Sequence, residues 1–409
     1  MNHTSDNFIL TPVTGGVSAP AGFSASGISA GLKPGGALDV AIVVADKTSP
    51  AAAVFTTNKV AAAPVLVSRR HVASGTARAV VINAGNANAC TGAQGERDAE
   101  ATAAAVASGL GCAAEDVLVC STGVIGVPLP ATRLLGAVPG AVARLSADGG
   151  SLAAQAIMTT DTVAKEVAVE FMVDGATYRV GGMAKGSGMI QPNMATMLAV
   201  LTTDAPLTAA ACDAALRAAV GTTFNRVTVD SDTSTNDTCV LMASGATGGA
   251  AIDVSDARYA AVVVAVRGVA ENLARMIARD GEGATKLITV RVGGAASEAD
   301  AELAAFAVAN SPLVKTAVFG RDANWGRVAM AIGKSGCELD QSKFDITFAG
   351  IPVCSAGAAM GFDEDAALEA LSADEVDIDV DLHLGEGAAT VWTCDLTYDY
   401  VRINGEYRS

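Results

Sequence analysis

A threonine that follows a small residue can attack the carbonyl carbon before it, provided the chain around it holds a tight turn. Thr196 is such a threonine. It stands in KGSGMIQPNMATML, from Lys185 to Leu198, directly after Ala195. Gly186, Gly188 and Pro192 lie ahead of it, and the apolar, β-like run Met197 to Leu201 follows. Self-cleavage between Ala195 and Thr196 would leave a hydroxyl nucleophile and a free α-amine on one residue. That pairing activates a weak alcohol nucleophile without any other base.

Competing chemistries have fewer residues to draw on. There are only three histidines, His3, His71 and His383, so a histidine base is poorly supported and a nucleophile carrying its own amine is favoured. His383 falls in an alternating pattern and reads as a half-exposed strand residue. The eight cysteines form no Cys-x-x-Cys pair and read as buried free thiols, with no metal site. Gly333-Lys334-Ser335 resembles the end of a phosphate-binding loop, but Val328 stands where the first glycine must be. Gly186-Ser187-Gly188 lacks the Gly-x-Ser-x-Gly spacing of a nucleophile elbow, since Lys185 precedes it. A net charge of -16 argues against nucleic acid, which needs a basic surface. No apolar run approaches the ~18 residues of a membrane span. The absence of Lys or Arg before Lys33 argues against a secretory signal, so a cytoplasmic protein is expected.

These residues need a layered scaffold to meet. Ala79 to Asn83 reads as a buried strand before the polar loop Ala84 to Thr91, and Glu96 to Leu110 as a helix. Val117 to Cys120 reads as a strand running into a turn at Ser121 to Gly126. Ser151 to Met158 looks helical. Met197 to Leu201 is a strand starting at the proposed new terminus. Thr208 caps a helix from Ala209 to Val220, and Ser255 caps a longer one ending near Arg279. Leu287 to Val292 is a strand, and Glu298 to Asn310 a helix stopped by Ser311-Pro312. Val314 to Phe319 is predicted as a strand. Phe344 to Phe348 and Ile351 to Cys354 form a hairpin through Ala349-Gly350. Val376 to Leu384 and Ala388 to Leu396 read as a C-terminal antiparallel pair. The expected class is α/β (α+β), a layered sandwich of helices and mixed sheets, and not a purely doubly wound fold.

Several blocks in order extend the picture: Val13 to Val17 (VTGGV), Asn83 to Gly92 (NAGNANACTG), Ser121 to Gly126 (STGVIG), Met158 to Thr162 (MTTDT), Asp230 to Thr238 (DSDTSTNDT) and Phe319 to Arg327 (FGRDANWGR). With Lys185 to Leu198, they make the whole chain similar to the ornithine acetyltransferase family, the glutamate N-acetyltransferases of arginine biosynthesis. The resemblance implies a self-processed threonine-nucleophile fold of that type. It implies an α chain of residues 1–195 and a β chain of residues 196–409. It further implies ping-pong transfer of acetyl from N2-acetylornithine to glutamate through Thr196, with no cofactor and no metal. The assembly implied is α2β2 or larger. Whether acetyl-coenzyme A also serves as donor is left open.

By the same resemblance the oxyanion hole maps onto Thr122 and Gly123, and substrate contacts onto Thr159, Lys185, Thr196, Glu282, Asn404 and Ser409. Taken alone, Lys185 would pass for a solvated charge and Glu282 for the end of a helix. A role for Asn404 and Ser409 requires the tail to fold back over the pocket, because chain ends normally fray. Arg321, Asp322, Asn324 and Arg327 form a charged loop around Trp325 without an assigned role. Two other readings stay open: an N-terminal-nucleophile aminopeptidase or amidase that passes the acyl group to water, and an unprocessed binding or scaffold protein.

Overall fold

Val40, Ile42 and Val44 face one hydrophobic cluster while Ala41, Val43 and Ala45 face another. A strand that is apolar on both sides must be covered on both sides, and that requirement sets the architecture. The computed structural model describes residues 8–191 and 197–406; Ala195, Thr196 and Ser409 lie outside the described residues.

In chain order the strands are β1 (Thr11–Val13), β2 (Phe23–Ile28), β3 (Val40–Phe55), β4 (Thr76–Asn86), β5 (Val117–Val124), β6 (Lys165–Val173), β7 (Ala176–Lys185), β8 (Leu198–Thr203), β9 (Thr238–Ala243), β10 (Leu287–Ala295), β11 (Asp345–Phe348), β12 (Ile351–Ser355), β13 (Ala358–Ala359), β14 (Glu375–Asp381) and β15 (Gly387–Cys394). The helices are α1 (Ala63–His71), α2 (Gly92–Leu110), α3 (Ala131–Ala143), α4 (Gly150–Ala156), α5 (Ala209–Thr222), α6 (Tyr259–Arg279), α7 (Glu298–Ala309), α8 (Pro312–Phe319), α9 (Trp325–Gly333), α10 (Glu364–Ala370) and α11 (Tyr398–Glu406).

The first nine strands run in the order β1-β6-β7-β8-β9-β3-β4-β5, with β2 paired to β3. The long β3 joins two half-sheets: Val40–Val44 pair with β2 and β4, and Ala51–Phe55 pair with β9. The half-sheets stack on each other through Val43, Ile82, Leu118, Met183, Val200 and Val240, to which α4 adds Ala153 and Ala156. Outside them, α2 and α3 cover β3 to β5 through Val106, Leu134 and Val138. On the other side α5 and α6 cover β7 to β9 through Leu216, Val266, Leu273 and Ile277. The result is a four-layer α/β/β/α sandwich, as mixed α/β patterning requires. Strands that precede and follow position 196 in the chain share one sheet.

The rest of the chain forms a second layer pair. Six strands in the order β13-β12-β11-β14-β10-β15 carry α7, α9 and α10 on a core of Val290, Val308, Val328, Phe348, Ile378 and Val391. Among the described residues no helix is long and apolar enough to cross a membrane.

Thr208 caps α5 as expected, accepting from the Ala211 N–H at 3.2 Å. Five expectations change. Val314 to Phe319 is helical: Ser311 accepts from Val314 N–H and Pro312 opens α8, so the pair read as a stop is also a start. β14 and β15 are not neighbours; β10 lies between them, parallel to β14 and antiparallel to β15. Ser255 bonds to Asp253 in a turn, and α6 begins only at Tyr259. His383 lies past the end of β14 in a turn at φ 51°, exposed and held by Asp345 at 2.9 Å. Of the thiols five are buried, Cys112 and Cys337 are half-buried, and Cys90 is exposed.

Candidate active site

Asn83 and Asn86 in β4 are buried polar residues, so each must find partners inside the protein. Asn83 donates to the Asn86 carbonyl at 2.8 Å and accepts from the Ser121 hydroxyl at 2.6 Å. Asn86 accepts from the Asn88 N–H at 2.8 Å. Asn236 donates to the carbonyls of Ala87 at 2.6 Å and Ser121 at 2.8 Å. The asparagines at the end of β4, together with Asn236, therefore form a scaffold that locks the end of β5, where Thr122 and Gly123 sit. Gly123 has φ 129°, and a Cβ there would lie 2.4 Å from the Gly85 carbonyl carbon and 2.5 Å from Asn86 N. Only glycine fits that approach.

Thr122 and Gly123 line a cavity of ≈ 160 Å³ together with Thr159, Thr160, Lys185, Gly188, Met189, Ser234, Thr235, Asn236, Glu282 and Asn404. Six residues singled out from the sequence thus meet at one place although they span positions 122 to 404. Thr196 and Ser409 lie outside the described residues. Other hollows are larger, including one of ≈ 500 Å³ beside β3 and α5 and one of ≈ 780 Å³ beside α6, but neither gathers the end of β5, a buried lysine and a carboxylate.

Lys185 is 9% exposed and donates to the Thr122 hydroxyl at 3.3 Å. Since that hydroxyl accepts from the lysine, its own proton is left to be donated. Burial pulls the Lys185 ammonium below its usual range; Asp161, Asp237 and Glu282 oppose this and Lys165 adds to it. Burial pushes the Asp237 carboxyl well above the ordinary value, against Ser234, Lys185 and Thr56. Glu282 is also 9% exposed, takes a 2.8 Å hydrogen bond from Asn404 Nδ2, and donates its N–H to the Ser187 carbonyl at 3.0 Å. Its carboxylate lies so near Gly188 that a Cβ there would approach within 2.5 Å. The cavity therefore holds a cation and a carboxylate, each almost removed from water.

The floor is fixed from below. Met189 adopts φ 56°, a left-handed conformation that costs a non-glycine residue about 1–2 kcal/mol. Asp230 compensates by accepting from Met189 N at 2.7 Å and Ile190 N at 2.8 Å. The sequence reading did not single out Thr160, Ser234, Thr235, Asn236 or Asp230. The signal was present, because all five fall inside the MTTDT and DSDTSTNDT blocks. The Arg321 to Arg327 segment lies elsewhere and is only partly the expected loop: Arg321 to Asn324 join α8 to α9, while Trp325 and Arg327 lie in the first turn of α9, with Arg327 bonded to the Leu313 carbonyl at 2.6 Å.

A cavity with a buried lysine and a buried carboxylate can hold both charges of a zwitterion. A family model described as the ArgJ family matches residues 24–409. The "Arginine biosynthesis bifunctional protein ArgJ" of Symbiobacterium thermophilum is 52% identical over 399 residues, covering 97% of this chain and 99% of its own. The chain belongs to the ArgJ family. The protein of the same name from Caldanaerobacter subterraneus is 49% identical over 399 residues, again covering 97% and 99%. A crystal structure of ornithine acetyltransferase from Mycobacterium tuberculosis, complexed with ornithine, is 45% identical and covers 45% of this chain and 99% of its own, with a TM-score of 0.43. The resemblance seen in the sequence blocks is thus a family membership over nearly the whole chain.

Proposed function

We propose that this ArgJ-family chain moves the acetyl group of N2-acetylornithine to glutamate in two half-reactions carried on Thr196. Family membership makes it an acetyltransferase of arginine biosynthesis. The observation that carries the finer reading is the cavity that sets Lys185, Glu282 and the Thr122–Gly123 end of β5 around one small volume.

The chain first cuts itself between Ala195 and Thr196, giving an α chain of residues 1–195 and a β chain of residues 196–409. Lys185 receives the α-carboxylate of acetylornithine and Glu282 its distal ammonium, with Thr159, Asn404 and Ser409 completing the contacts. The Thr196 hydroxyl oxygen then attacks the acetyl carbon. Its α-amine takes the hydroxyl proton and returns it to the departing nitrogen of ornithine; with a reference pKa of ~8 that amine can exchange a proton near neutrality. Thr122 and Gly123 stabilise the oxyanion, an interaction worth ~10²–10³ in rate per donor. The glutamate amine next attacks acetyl-Thr196, the proton moves the opposite way, and N-acetylglutamate leaves. Neither half-reaction calls on a cofactor.

The same reading includes acetyl-coenzyme A as a second donor, an α2β2 assembly and a cytoplasmic location. The hydrolase alternative is not favoured by the family. A denaturing gel and a two-donor assay test the whole scheme. Two fragments replacing the 40.7 kDa chain, and N-acetylglutamate formed from acetylornithine, are expected. Acetate as the sole acyl product in the presence of glutamate would overturn it. Thr196→Ala should lose both cleavage and transfer.

A further inference from the structure

We propose that the buried Asp161, Lys165 and Asp280 form a positioning device that fixes the spacing of Thr159, Lys185 and Glu282. The proposal rests on the functional reading above, in which those three residues face substrate. None of the three cluster residues lines the cavity, so any influence on substrate passes through their neighbours.

The side chain of Lys165 is 0% exposed, those of Asp161 and Asp280 0% and 7%. Its ammonium donates to Asp161 Oδ1 at 2.7 Å, to Asp280 Oδ2 at 2.5 Å and to the Val163 carbonyl at 3.4 Å, which engages all three protons. Each carboxylate then reaches outward. Asp161 Oδ2 accepts from the N–H of Thr159 at 2.9 Å. Asp161 Oδ1 accepts from the N–H of Gly186, the residue after Lys185, at 2.8 Å. Asp280 accepts from Thr162 N–H at 3.0 Å and from the Thr162 hydroxyl, and its own carbonyl accepts from Ser187 at 2.6 Å. Glu282 follows two residues later and closes the circuit with its N–H on the Ser187 carbonyl, at 3.0 Å.

Thr159, Lys185 and Glu282 are thus each bonded directly to the cluster or within two residues of a bonded position. Asp161 and Lys165 precede the proposed cut and Asp280 follows it, so the cluster also spans the two fragments. Stability alone is a weak reason for such a cluster, because burying ions costs solvation that apolar side chains would not. Geometry is a sufficient one, since a misplacement of 1 Å at a reacting centre can cost ~10²-fold.

The test compares wild type with Asp280→Asn, both purified after self-cleavage. We expect cleavage to proceed. KM for acetylornithine and for glutamate should each rise by about tenfold, while the maximal rate changes by less than about threefold. A lowered melting temperature with both KM values unchanged would reduce the cluster to a structural role and overturn the proposal. Should Asp280→Asn not fold, Thr162→Val removes one tether and should raise both KM values in parallel; unchanged values overturn it. If wild type shows no transfer, the functional reading fails, and calorimetric binding of ornithine decides the positioning claim by itself. Binding about tenfold weaker in the variant upholds it, and equal binding refutes it.

Discussion

A buried cluster in the sandwich and an exposed one in the six-stranded unit both hold a cation between two carboxylates, and the two clusters differ in almost everything else. Arg291 on β10 meets Asp377 at 3.0 Å and Asp379 at 3.1 Å on β14, with side chains 45%, 45% and 42% exposed. Lys165 meets Asp161 and Asp280 with almost no exposure. The first is a cross-strand ladder on a wet sheet face, where water does most of the solvating. The second has given up water and replaced it with backbone N–H groups. The contrast extends to whole units. Between Leu287 and Cys394 the buried polar side chains among the described residues are Thr289, Ser311, Lys315 and Thr393. The sandwich buries Asn83, Asn86, Asn88, Asp161, Lys165, Lys185, Ser187, Asn236, Asp237, Asp280 and Glu282. Burial, rather than composition, separates the unit that builds a site from the unit that packs beside it.

The largest break in that contrast should come from Lys165→Met. It strands two carboxylates in the interior, and breaking a buried pair typically costs about 3–5 kcal/mol. Denaturant unfolding should show that loss at pH 7. Burial alone would raise the Asp161 carboxyl, but Lys185, Lys165 and the hydrogen bonds from Lys165 and Thr159 outweigh it and hold it well below the usual range. Its folded-state pKa is therefore depressed below the unfolded ~3.9. The stability it brings is complete above that value and is lost as pH falls towards the folded one. Wild type should keep this contribution down to about pH 4, and an equal stability difference between wild type and Lys165→Met well below pH 4 would contradict the assignment.

Gly123→Ala comes next. The added Cβ has no room against Gly85 and Asn86, so the end of β5 must shift, and the proposed oxyanion donor with it. Acetyl transfer should fall by ~10²–10³, while the C-terminal unit unfolds as before. Wild-type turnover in this variant would remove the end of β5 from the mechanism. Asn404→Ala should do less. It deletes a 2.8 Å hydrogen bond to Glu282 from an exposed helix, and a net loss of about 1 kcal/mol corresponds to a KM for acetylornithine raised roughly fivefold. An unaltered KM would place α11 outside the substrate contacts.

How much of this could be read from residues alone depends on range. Thr208 was legible as a cap because the signal and the helix are adjacent. Ser311-Pro312 carried an equally local signal, yet the apolar run Val314 to Phe319 fits either strand or helix, and a short run does not settle its own period. The insertion of β10 between β14 and β15 depends on pairing across roughly ninety residues, which no turn signal encodes. The site shows the same limit. Lys185 and Glu282 were found through blocks resembling a family, whereas local composition favoured ordinary surface charges. The link from Asp161 and Lys165 to Asp280 was invisible, because nothing in either segment announces a partner 115 residues away.

The smallest effect should come from the other cluster, and it makes the comparison quantitative. Arg291→Ala removes one cation from between two carboxylates, formally the same deletion as Lys165→Met. At nearly half exposure each aspartate recovers its hydration when the arginine goes, so exposed pairs of this kind are worth about 0–1 kcal/mol. Stability should fall by no more than that, and the deficit should shrink further in 1 M salt, where the Debye length is about 3 Å. Transfer activity should stay at the wild-type level, since neither strand reaches the cavity. The deficit of Lys165→Met should hardly respond to salt, because ions do not enter its cluster. If the two variants lost equal stability, or if salt rescued both alike, burial would not be what distinguishes the two units. The inference that the sandwich uses buried charge to hold its site would then lose its physical basis.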